Sequence, residues 1–265
     1  MHERPKNKER LRRTLEDTAD TLLVAGDFAG AQATLSEFSK RYSEPDSFFY
    51  ANLKLFALPL YELAHHPSTE ERVRAANDTY GQVASLIDLE LTTRNNYPNE
   101  SEENYRRIGR LSALTVFELL IRDGVQDTVA AVPIPASRQD DMHRGIDFYL
   151  SPIGTGKIND GWAMQVKTSP TKADREKYDE TNIVLIGMNE IDEHATDPNN
   201  ANSLARCVLR ELDGTLSEQD HTKLTRATAQ LYEKITHSKK VDDSIKRRNR
   251  LGKITRTLLL PVIKE

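Results

Sequence analysis

Four polar side chains stand in otherwise apolar stretches, and their types suit hydrolytic chemistry. Glu118 interrupts the helical run from Arg110 to Ile121, RLSALTVFELLI. Asp147 lies in the strand-like segment Gly145-Ile146-Asp147-Phe148-Tyr149-Leu150, and Gln165 and Lys167 lie in Gly161-Trp162-Ala163-Met164-Gln165-Val166-Lys167-Thr168. Side chains alternate along a strand, so Ile146, Phe148 and Leu150 share one face and Gly145, Asp147 and Tyr149 the other. The same alternation sets Trp162, Met164 and Val166 against Ala163, Gln165 and Lys167. If the polar connection 151–160 closes a hairpin, Asp147, Gln165 and Lys167 share a face opposite the large apolar residues, and such a face is wet or functional. Side-chain oxygens can hold a hard divalent cation, and a neighbouring ammonium can help activate a water beside it.

This arrangement resembles the PD-(D/E)xK nuclease superfamily, the restriction-endonuclease-like fold. The family pattern is a glutamate on the first core helix, an aspartate on the second strand and a (D/E)xK tripeptide on the third. The matching positions are Glu118, Asp147 and Gln165-Val166-Lys167, a QxK variant, and the resemblance covers about residues 100–195. It implies metal-dependent hydrolysis of phosphodiester bonds, of DNA first, with Mg²⁺ or Mn²⁺ held by Asp147, Gln165, the Val166 carbonyl and Glu118. Lys167 would orient or deprotonate the attacking water, and the family's frequent dimers imply a homodimer. Gln165 offers an oxygen without a charge, which lowers the expected metal affinity and favours one metal over two. A second reading is a nuclease-fold protein with little or no activity that binds nucleic acid or a protein partner; a third is a helical interaction protein with a purely structural sheet.

Plainer roles exist for each residue. Glu118 could pair with Lys167 or Arg144, because a lone buried charge is costly. Asp147 could cap a bulge or meet an arginine, and Lys167 could guard a sheet edge. Gly154-Thr155-Gly156-Lys157 departs from GxxxxGK[ST] at Ser151 and Ile158, and reads as a hairpin turn. His65-His66 and Asp140-Asp141-Met142-His143 lack a second cluster at metal-ligand spacing and read as loops, although His143 and Arg144 could touch a substrate phosphate. Asp174-Arg175-Glu176-Lys177-Tyr178 does not match the QxxxY element of helicase-associated nucleases. The single cysteine, Cys207, lies in a helical pattern and reads as core, and it allows no internal disulfide.

The elements that must position these residues follow from periodicity. A helical hairpin over Leu11–Phe38 turns at Gly26-Asp27, an apolar segment runs from Phe48 to Leu63, and Ser68 with Glu71 forms a capping box for the next helix. Asn95–Asn99 marks a boundary. Beyond it come the Glu118 helix over 102–122, a strand over Asp127–Ile134 ended by Pro135, the hairpin, a short helix over 171–179, an apolar strand at Asn182–Met188 that reads as central, and helices over 200–212 and 218–237. The expectation is α/β: a restriction-endonuclease-like αβββαβ core over 98–240, an α-helical module over 1–97, and a basic segment over 241–265.

The 265 residues carry a net charge of −4, which announces no nucleic-acid binder. From Lys234 to Arg256, however, nine basic residues face only Asp242 and Asp243, a stretch suited to phosphates. No apolar run approaches the roughly 18 residues of a membrane span, and the charged N-terminus lacks a secretory pattern, so the expected location is cytoplasmic.

Overall fold

The computed structural model describes residues 5–67, 69–93, 101–126, 131–158, 161–191 and 200–237. Five helices come first: α1 (Pro5–Ala25), α2 (Phe28–Arg41), α3 (Pro45–Phe56), α4 (Leu58–His65) and α5 (Glu70–Thr92). Gly26 ends α1 at φ +80°, a backbone region that costs glycine little, and Asp27 caps α2 by accepting from the Gly30 amide. The cap of α5 is Thr69, whose hydroxyl accepts from the Arg72 amide at 3.3 Å. This displaces the expected capping box by one residue, and Ser68 itself lies outside the described residues.

From α6 (Glu102–Gln126) the chain enters a four-stranded open sheet, β1 (Ala131–Pro135), β2 (Phe148–Pro152), β3 (Trp162–Lys167) and β4 (Ile183–Gly187), in the order β1-β2-β3-β4. The first three strands are antiparallel; β4 pairs parallel to β3 after a crossover through α7 (Lys172–Asp179). A short α8 (Met188–Ile191), α9 (Asn200–Leu212) and α10 (Glu218–His237) follow. The chain is therefore mixed α/β, and no helix among the described residues is long and apolar enough to cross a membrane.

Two strand details depart from expectation. Pro135 is the last residue of β1, one place past the expected end, and Pro133 lies within the strand; an edge strand tolerates residues that cannot donate to a ladder. The predicted residues 127–130 lie outside the described residues. The second departure is β4, which is apolar on both faces yet sits at the sheet's other edge. It reads as central because α7, α8 and α10 all pack on it.

One face of the sheet, with Ile134, Phe148, Leu150, Met164, Val166 and Ile186, joins α6 and the N-terminal helices in a single apolar core. Phe117 of α6 meets Phe148 edge-to-face at 5.9 Å between centroids. That core also contains Leu23, Leu60, Leu63 and Ile87, so the helices before residue 93 and the sheet share one interior. Polar ties reinforce it: the Tyr61 hydroxyl donates to the Pro135 carbonyl at 2.8 Å, and Lys54 Nζ donates to the Ala136 carbonyl at 2.8 Å. The expected boundary at 95–99 lies outside the described residues. The opposite sheet face carries a smaller cluster of Ala136, Ile146, Tyr149, Ala163, Tyr178 and Ile183.

Candidate functional site

Residues 140–144 form a single π-helical turn that Gly145 ends in the left-handed region at φ +63°. The chain then runs extended, and the Asp147 amide donates to the Met164 carbonyl at 2.8 Å, one step before the β2–β3 ladder proper. The turn shifts the strand phase at its start. Ile146, expected beside Phe148 and Leu150, instead packs with Tyr149 and Ala163.

Asp147 and Gln165 are neighbours, as the shared strand face requires. Asp147 Oδ2 accepts from Gln165 Nε2 at 2.7 Å and from the Val166 amide at 2.5 Å. The second bond satisfies a backbone amide just beyond the β2–β3 ladder. Gln165 Nε2 also donates to the Val166 carbonyl at 3.0 Å, and Gln165 Oε1 accepts from the Tyr178 hydroxyl at 3.3 Å. The side-chain amide is thus held at both ends: its N–H groups point at two oxygens and its oxygen points at a donor. A Cβ on Gly145 would lie 2.3 Å from the Tyr178 hydroxyl oxygen and 3.0 Å from Gln165 Oε1, so the glycine leaves the space this trio fills.

Asp147 carries an unusual proton affinity. Burial pushes its carboxyl up to about 7, and the Asp141 charge adds to that; the Val166 amide, the Lys167 ammonium and the Gln165 amide pull the other way. Lys167 continues β3 one residue past Val166 and is half-buried. Its charge lowers the proton affinity of Asp147 and Asp141 alike.

Glu118 is fully buried in α6. A cavity of about 400 Å³ opens onto Asp147, and α6 contributes Gly109, Arg110, Ala113, Leu114 and Phe117 to its wall, the helical stripe adjoining Glu118. Asp147 and Gln165 come together, and Glu118 lies one residue past Phe117 on the helix that lines the cavity.

The same cavity reveals residues that sequence reasoning passed over. Asp141, read as loop, lines it; burial raises its carboxyl, while Lys54, Lys167 and Arg138 lower it. Lys54 and Arg138 lie on the wall as well. Lys54 is the one cation in the apolar run Phe48–Leu63, and that isolation was the available signal. It pairs with Asp20, whose other oxygen accepts from the Arg138 amide at 3.0 Å, while the Arg138 guanidinium pairs with Glu16. Tyr178 was set aside with the unmatched QxxxY stretch.

Other candidates resolve as structural. The Gly154, Thr155 and Gly156 amides donate to the Leu63 and Ala64 carbonyls, docking the hairpin turn on the end of α4 and leaving no phosphate cradle. His65 Nε2 bonds the Leu23 carbonyl at 3.1 Å. His143 and Arg144 are exposed, Arg144 pairing with Asp140 at 2.9 Å. Cys207 is buried. Of the basic stretch, Lys234 pairs with Glu190, and everything from residue 238 lies outside the described residues.

Among the described residues no group of three His, Cys, Asp or Glu side chains is placed to hold a metal ion. The Asp147 oxygen and the Val166 carbonyl do converge, on a point that Gln165 Nε2 fills. Two hard oxygens drawn to one partially positive group fit a cation in donor chemistry, with Gln165 Oε1 as a third ligand once the amide turns over. No family model, no curated protein and no solved structure matches the chain.

Proposed function

We propose that the chain is a metal-dependent nuclease of the PD-(D/E)xK type in its QxK variant, acting on DNA, with α6-β1-β2-β3-α7-β4 as a restriction-endonuclease-like core. The observation that carries this reading is the convergence of the Asp147 carboxylate and the Val166 carbonyl on one point, with Lys167 the next residue of β3. Element order supports it independently, since α6 precedes three antiparallel strands and α7 leads into a parallel fourth.

Asp147, the Val166 carbonyl and Gln165 would hold Mg²⁺ or Mn²⁺, which when bound supplies a more acidic water and charge against the phosphate oxygens. Asp147 must be ionised to serve as a ligand. Lys167 orients the attacking water and offsets the negative charge that develops on the phosphate. Lys54 and Arg138, each already paired with a carboxylate, fix the cavity wall through which a strand would approach. Glu118 would support the metal or its waters from α6. A homodimer is the assembly this reading carries with it.

The test is cleavage of plasmid and single-stranded DNA with Mg²⁺ or Mn²⁺ by wild type, Asp147→Ala, Lys167→Ala and Gln165→Glu. Cleavage lost in both alanine variants and kept or raised in Gln165→Glu is the expected result; no cleavage by any of them sinks the nuclease reading. The neutral amide where the family carries a carboxylate favours one second reading, a scaffold that binds nucleic acid with little turnover. Metal-independent, salt-sensitive DNA binding would be its signature.

A further inference from the structure

We propose that Tyr178 is a positioning residue that holds Gln165 in an orientation that excludes cations, so that metal enters only when the amide turns over. This inference rests on the metal-site reading above and names how that site is controlled.

Gln165 is only 6% exposed, which makes each of its polar atoms depend on a protein partner. In the observed orientation every one has a complementary match. Nε2 donates to Asp147 Oδ2 at 2.7 Å and to the Val166 carbonyl at 3.0 Å, while Oε1 accepts from the Tyr178 hydroxyl at 3.3 Å. The two amide hydrogens lie where a cation's charge would lie, between the same two oxygens. The reverse orientation would set Oε1 against a carboxylate and a carbonyl, three acceptors facing one another, which a cation relieves.

A hydroxyl can act as donor or acceptor. Tyr178 accepts from Lys177 Nζ at 3.5 Å, which leaves its hydroxyl proton directed at Gln165 Oε1 and favours the first orientation over the second. Its location suits that role: the ring is buried at 2% exposure, Lys177 Nζ stands 4.9 Å from its centroid, and Gly145 leaves room for the hydroxyl. The ring is anchored, so the hydroxyl stays on Oε1 and the amide must break that bond to turn over. A carboxylate at position 165 has no donor hydrogens to present to Asp147, so it would repel Asp147 until a cation bound.

The experiment is calorimetric titration of Mg²⁺ and Mn²⁺ into full-length wild type, Tyr178→Phe, Gln165→Glu and the double variant, with exchange of the Gln165 side-chain amide protons followed by NMR in metal-free protein. Tyr178→Phe should bind metal roughly fivefold more tightly than wild type, the worth of one neutral hydrogen bond. Its Gln165 amide protons should exchange correspondingly faster. Gln165→Glu should bind on the order of tenfold more tightly. In that background Tyr178→Phe should bring no gain or a loss, because no amide is left to orient. A Tyr178→Phe effect of equal sign in both backgrounds, or weaker binding by Tyr178→Phe alone, overturns the proposal. Wild-type amide protons that exchange as fast as those of an exposed glutamine overturn it as well, and that reading does not depend on any variant folding. If even Gln165→Glu binds no cation, the metal-site reading fails, and the amide exchange still decides whether Tyr178 orients Gln165.

Discussion

Two buried polar clusters border the same cavity and are built on different terms. Around Lys54, charge meets charge: Lys54 pairs with Asp20, and Arg138 with Glu16, which Arg12 also approaches at 3.4 Å. Burial pushes Glu16 up in pKa, and both arginines pull it back. Around Asp147 the bonding partners are neutral amides, and burial lifts its carboxyl to about 7. The first cluster answers each carboxylate with a cation and holds α1 and α3 to the sheet. The second leaves a carboxylate whose charge only a more distant Lys167 offsets, and that is where an added cation gains most.

The sharpest way to break the contrast is to remove charge from the compensated cluster. Lys54→Ala should cost about 3–5 kcal/mol, because Asp20 and the Ala136 carbonyl lose a buried partner; denaturant unfolding reads it, and a loss below about 1 kcal/mol would show the network to be slack. Next comes the left-handed glycine. Gly145→Ala should cost about 1–3 kcal/mol in strain and displace the Tyr178 hydroxyl.

Asp147→Asn should move stability the other way and depend on pH. The folded carboxyl holds its proton up to about 7 whereas the unfolded one releases it near 4, so wild type loses stability as pH rises between those values. In metal-free protein the variant's melting temperature should exceed that of wild type at pH 8 and approach it at pH 4. An equal difference at both pH values would show that Asp147 is not strained by its charge. The smallest expected effect is Thr171→Ala, which dismantles the capping box with Asp174 at the start of α7, the helix that carries Tyr178. It should cost about 1 kcal/mol.

The strand phase, the helix periods and the Asp147–Gln165 adjacency were legible because alternation and spacing are local properties. Asp147 and Gln165 fell on one face once a hairpin was assumed, and the observed register delivers that face. Ile146 escaped the pattern because the turn ending at Gly145 resets the phase. Tyr178 and Asp141 escaped for a different reason. Each reaches the site across a crossover or a turn, and no period along the chain encodes how far such a segment folds back. Lys54 lies 82 residues from its carbonyl partner Ala136. A lone cation in an apolar run announces that a partner exists without saying where.

The docked hairpin turn has a consequence for assembly. Gly154, Thr155 and Gly156 donate to carbonyls of Leu63 and Ala64, some ninety residues earlier. The tip of the β2–β3 hairpin is therefore closed by the C-terminal end of α4, and the strands that bear Asp147 and Gln165 gain their anchor only after the N-terminal helices exist to receive it. During synthesis those helices emerge first, and the hairpin folds onto a surface already prepared. A fragment beginning after α5 would present that turn with its amides exposed to water and the sheet's apolar face uncovered, and should collect as aggregate instead of as a smaller folded protein.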